Sequence, residues 1–64
     1  MLIPFTESSS GNAIFVNPEY VVAVFVASDE QNKGKTVISL INGNLVTDMD
    51  QTEVSGQING ALNG

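Results

Sequence analysis

The sequence predicts a small α+β domain, an antiparallel β-meander of four to five strands closed by a short C-terminal helix. Three features point there. Eight consecutive residues, 20–27 (YVVAVFVA), carry no charge and are rich in β-branched and aromatic side chains, which marks a strand. An Asn42-Gly43 pair between two further strand-like runs marks a tight hairpin. After Met49 the apolar spacing becomes helical, with Val54, Ile58, Ala61 and Leu62 recurring on one side.

The elements follow in order. Residues 1–5 form a short apolar piece interrupted by Pro4; because proline cannot donate to a ladder, this reads as an edge strand or arm. Residues 7–12 (ESSSGN) are a flexible loop, so 1–12 forms an N-terminal appendage to a sheet spanning 13–49. Residues 13–16 (AIFV) make a short strand that ends at Asn17-Pro18. In the 20–27 strand, Tyr20, Val22, Val24 and Val26 alternate with Val21, Ala23, Phe25 and Ala27. Both faces are apolar and want cover.

A polar loop over 28–35 leads to the paired runs 36–41 (TVISLI) and 45–49 (LVTDM). A type I′ turn at Asn42-Gly43 would set Leu40 against Leu45, Ile38 against Thr47 and Thr36 against Met49. Asp50 is a good N-cap, and Glu53 three residues on completes a capping-box spacing, so the helix is expected over 50–62. Gly56 and Gly60 each weaken it by about 1 kcal/mol relative to alanine, so the sheet has to hold it. It packs through Val54, Ile58 and Leu62.

Sixty-four residues make one domain, 1–64. A core of that size rarely supplies more than about 3–5 kcal/mol. With no cysteine and no histidine, disulfides, thiolate sites and imidazole ligands are excluded, which leaves self-association as the stabilising device. The expected self-association face is Val21, Ala23, Phe25 and Ala27, most simply in a two-fold dimer.

Seven acidic residues against Lys33 and Lys35 give a net charge of −5. Phosphate contacts need a basic surface, so this balance argues against nucleic acid and suits a protein partner with a basic surface. No stretch reaches the roughly 18 apolar residues of a membrane span and the start lacks a basic leader, so a cytoplasmic location is expected.

No motif carries catalysis. Gly34-Lys35-Thr36 resembles the end of a P-loop, but the upstream glycine position holds Asp29 and a strand follows instead of a helix. Asp48, Asp50 and Glu53 offer oxygen ligands for Ca²⁺ or Mg²⁺, although Asp50 and Glu53 already serve the helix start. Ser8, Ser9 and Ser10 have hydroxyls and no histidine base. Tyr20 reads as a strand-start tyrosine with a wet hydroxyl. The chain is therefore expected not to be an enzyme and to need no cofactor or metal.

The order apolar strand, V-N-P-E-Y, apolar strand, loop, T-V-I-S-L-I-N-G, strand, E-V-x-x-x-I resembles the small FlbD-like family of flagellar and swarming operons. Ile14 to Tyr20, Val22 to Val24, Thr36 to Gly43, and Glu53-Val54 to Ile58 carry that resemblance. It implies a small non-enzymatic module. Met1-Leu2-Ile3, the length, and strands before a short helix are similar to the carbon storage regulator family, which implies an interlocked RNA-binding dimer. That family grips RNA with basic residues near its first and last strands. The corresponding stretches here, 2–5 and 46–50, hold no base and, in the second, Asp48 and Asp50. The leading expectation is an acidic, self-associating protein-interaction or assembly module. The alternatives are a nucleic-acid-binding post-transcriptional regulator of the carbon storage regulator type and a carboxylate-based divalent metal binder.

Overall fold

The computed structural model describes residues 1–63, which form five antiparallel strands in two sheets and one C-terminal helix. Strand β1 (Ile3–Thr6) buries alternate residues, Ile3 and Phe5, and exposes Pro4 and Thr6. It pairs with β2 (Ala13–Val16), placing Ile3 opposite Val16 and Pro4 opposite Phe15. Gly11 turns the connecting loop at φ 75° and donates its N–H to the Glu7 carbonyl at 2.8 Å. Of the expected edge strand or arm over 1–5, Ile3 to Phe5 belong to a core strand, with Phe5 only 1% exposed, while Met1 and Leu2 lie outside it and are exposed.

Asn17 ends β2. Its side chain accepts from the Glu19 N–H at 3.0 Å, and Pro18 starts a single 3₁₀ turn (Pro18–Tyr20) with its φ already set. The second sheet follows in the order β3 (Val21–Val26), β4 (Thr36–Leu40), β5 (Gly43–Thr47).

Two details depart from the sequence expectation. A bulge between Val21 and Ala23 leaves Val22 as an extra residue: Val21 pairs with Leu40, whereas Ala23 pairs with Ser39. The bulge breaks the parity of the strand, so Val21 and Val24 both pack on the core. The expected face of Val21, Ala23, Phe25 and Ala27 is therefore not one surface. Val21 leans on the core and Ala27 is buried beyond the strand end, while Ala23 and Phe25 are exposed.

The hairpin also differs. Its two loop residues are Ile41 and Asn42, neither at positive φ, so there is no type I′ turn at Asn42-Gly43. Gly43 takes the positive φ (155°) and pairs with Leu40; Ile38 meets Leu45 and Thr36 meets Thr47. The offset from the expected register is two residues, which preserves the faces. The gain is local: the large apolar pair Ile38–Leu45 goes to the core together, and two hydroxyls meet at Thr36–Thr47.

The two sheets touch through β1 and β5. Glu7 bridges to Thr47 and the Ser8 N–H donates to the Val46 carbonyl at 2.8 Å, giving a spatial order β2-β1-β5-β4-β3. Helix α1 (Gln51–Asn63) begins where Asp50 caps it, accepting from the Thr52 N–H at 2.9 Å. It contacts β3, the 3₁₀ turn and β1. Val54 and Ile58 are buried among Ile3, Phe5, Val16, Ile38 and Leu45, with Ala61 packed against that cluster. Leu62, expected in the packing face, is half exposed; Ala61 is the residue that continues the stripe.

Thr36 and Thr47 are the buried polar residues. The Thr36 hydroxyl donates to the Met49 carbonyl at 2.7 Å, and the Met49 N–H donates to the Thr47 hydroxyl at 3.3 Å. The pair holds the chain where it leaves β5 for the helix.

Phe5→Ala should cost about 3–5 kcal/mol, comparable with the whole stability of so small a core, and leave the chain largely unfolded in a urea titration. Leu62→Ala should shift the same midpoint by no more than about 0.5 kcal/mol. Thr36→Val should cost about 1–3 kcal/mol, because it strands the Met49 carbonyl.

Candidate interaction surface

The polar residues singled out by sequence gather around the β1–β2 loop, where they satisfy one another. The Lys35 ammonium donates to the Ser8 hydroxyl at 2.7 Å, and Ser8 in turn donates to Asp48 at 3.1 Å. Lys35 and Asp48 also form an ion pair at 3.7 Å. The Ser8 hydrogen thus points to a carboxylate and its lone pair faces an ammonium. A serine–lysine nucleophile needs a neutral amine to take the hydroxyl proton; a lysine held by an aspartate is the opposite arrangement. Ser10 donates to Glu7 at 2.6 Å and accepts from the Asn12 N–H at 3.2 Å, a bond internal to the loop. Beside the cluster lies an open polar cleft of about 400 Å³ whose wall includes Glu7, Asn32, Lys35 and Asn44.

The other motif residues have structural tasks. Gly34, at φ 84°, turns the 28–35 loop, and Thr36 begins β4 with its hydroxyl bonded to Met49, so no phosphate cradle forms at Gly34-Lys35-Thr36. Asp48 is committed to Ser8 and Lys35, and Asp50 caps the helix. Among the described residues, no group of three or more possible ligands gathers to hold a metal. Nor is any described helix long and apolar enough to cross a membrane.

Elsewhere the surface exposes several large apolar side chains. One patch lies along β1–β2. Leu2, Ile14, Phe15 and Tyr20 line a groove of about 340 Å³ that also reaches Leu40. A second groove, about 620 Å³, passes from Leu2 and Pro4 to Gln57 and Ala61 on α1. Phe15, 62% exposed, is one of the residues that line the first. Sequence reading overlooked Phe15 because the run 13–16 is apolar throughout; the signal was its register opposite Pro4, which only the pairing reveals. Tyr20 ends the 3₁₀ turn and sits half exposed at the groove wall.

The second apolar strip is β3. Val22, Phe25 and Val26 are exposed along it, and the strand is the free edge of its sheet. No charged residue or proline interrupts residues 21–28. Natural edge strands are commonly blunted by such residues. At the opposite side of this sheet β5 is not free, because Glu7 and Ser8 bond to it.

No protein-family model matches the chain, and neither a curated protein nor a solved structure matches it.

Lys35→Met should lower stability by at most about 1 kcal/mol, because Asp48 is 69% exposed and water screens the pair. Thermal melting at low and high salt measures it, and a larger loss would mark the cluster as a structural keystone.

Proposed function

We propose that this chain is a non-catalytic protein-interaction or assembly module that associates with itself as a dimer. The observation that carries the reading is the exposed apolar surface: Leu2, Phe15 and Tyr20 around the β1–β2 groove, and Val22, Phe25 and Val26 along the β3 edge. Burying one such side chain is worth about 1.5–3 kcal/mol, so leaving several in water is a large cost for a core of this size. The polar groups that offered chemistry are spent on each other, which supports a non-enzymatic role. The setting proposed is cytoplasmic.

The charge supports a protein partner over a nucleic acid. Lys33 and Lys35 are the chain's basic side chains, and Lys35 already serves Asp48 and Ser8. Any heterologous partner would complement the acidic surface with basic residues.

Sedimentation equilibrium is the test. The expected mass rises from 6.7 kDa at about 10 µM toward twice that value at about 1 mM. Because each copy carries −5, added salt should strengthen the association by screening repulsion, whereas phosphate-driven binding would weaken with salt. A monomer at every concentration overturns the reading.

A further inference from the structure

The free edge of β3 has a chemistry of its own, distinct from the apolar grooves. In an antiparallel ladder successive residues turn their backbone groups alternately toward and away from the neighbouring strand. The Ala27 N–H donates to the Lys35 carbonyl at 2.8 Å, so Ala27 faces the β4 side. Stepping back by two, Phe25 also faces β4, opposite Val37. Val24 and Val26 therefore turn their N–H and C=O groups outward. Gln51 confirms the direction: its side-chain amide reaches the Val24 carbonyl from the open side, at a long 3.5 Å. That contact is the one hydrogen bond to the outward groups of Val24 and Val26 among the described residues.

We infer that β3 pairs edge to edge with β3 of a second copy, antiparallel about a two-fold axis at Phe25, so that Val24 of each copy meets Val26 of the other. The inference rests on the self-association proposed above and names its mode. Outward groups meet outward groups in this register, and each Val24–Val26 pair exchanges two backbone hydrogen bonds, four in all. The two Phe25 rings, each 45% exposed, become direct cross-strand neighbours in the close, non-hydrogen-bonded position. The exposed Val26 side chains gain partners on the opposite face.

The occupant is a second copy for two reasons. Antiparallel pairing of identical strands is self-complementary, as a two-fold interface requires. Two chains of −5 repel, and residues 21–28 form a long uncharged stretch of backbone along which they can approach. The two three-stranded sheets then become one of six strands with both helices on the same face. The partner's N–H replaces the long Gln51 contact at Val24.

Amide hydrogen exchange by NMR at two concentrations tests this on the unmodified chain. Between about 10 µM and 1 mM, the amides of Val24 and Val26 should slow at least about tenfold relative to those of Ala23 and Phe25, which already face β4. Phe25→Asp sets two carboxylates opposite each other and should give a monomer at both concentrations. Should that variant unfold, Val26→Lys, at a half-exposed site, should give the same result with the fold retained. A dimer whose Val24 and Val26 amides exchange equally at both concentrations overturns edge pairing but leaves self-association standing, with the Leu2–Phe15 patch as its seat. A dimer that survives both substitutions does the same. A monomer throughout overturns both.

Discussion

One helix face has to seal the apolar side of two small sheets, and the core of the domain depends on that contact. Val54 and Ile58 enter between the β1–β2 hairpin and the β3–β5 sheet, where Ile3, Phe5, Val16, Ile38 and Leu45 converge. Ala61 adds a third, smaller contact one turn further. With Gly56 and Gly60 in its interior the helix has little propensity to form unaided, so it exists because the sheets bury it. The two sheets are joined by backbone pairing at Glu7–Thr47 and Ser8–Val46, and the helix packs on residues of both.

The polar interior serves the same joint. Thr36 and Thr47 lie opposite each other on β4 and β5, and both hydroxyls engage the Met49 backbone. The connection between the last strand and the helix is therefore anchored two residues before Gln51, with Asp50 capping the helix immediately after. Apolar side chains at 36 and 47 would fill the space, yet they would leave the Met49 amide and carbonyl without partners. The helix leaves Leu2, Phe15 and the β3 edge exposed.

The elements were legible where two independent signals agreed. Asp50 as a cap and the Val54–Ile58 spacing both pointed to a helix over 50–62, and the observed Gln51–Asn63 differs by one residue at each end. Asn17-Pro18 marked the break between β2 and β3 through proline's fixed φ. Legibility failed where the pattern held no contrast. In residues 20–27 both parities are apolar, so nothing in the sequence could reveal a bulge at Val22 or which residues would face the core. The hairpin misled for a different reason. Asn42-Gly43 is a strong local turn signal, but pairing Ile38 with Leu45 and Thr36 with Thr47 outweighs it, and Gly43 serves as the first residue of β5. The Ser8–Lys35–Asp48 cluster joins residues 40 apart and was invisible to any local pattern.

The Glu7–Thr47 bridge also sets the order in which the chain can acquire its structure. Its partners are separated by 40 residues (47 − 7), whereas the β1–β2 and β4–β5 hairpins close over short loops. Closing long loops is entropically slower than closing short ones, so loop length favours formation of both hairpins before the bridge joins them. On a ribosome adding about 5–20 residues each second, Ile3, Phe5 and Val16 wait for seconds before Val54 and Ile58 emerge to cover them. In that interval the apolar side of the first hairpin is open to whatever else is nearby, including the β3 strand of a neighbouring nascent chain.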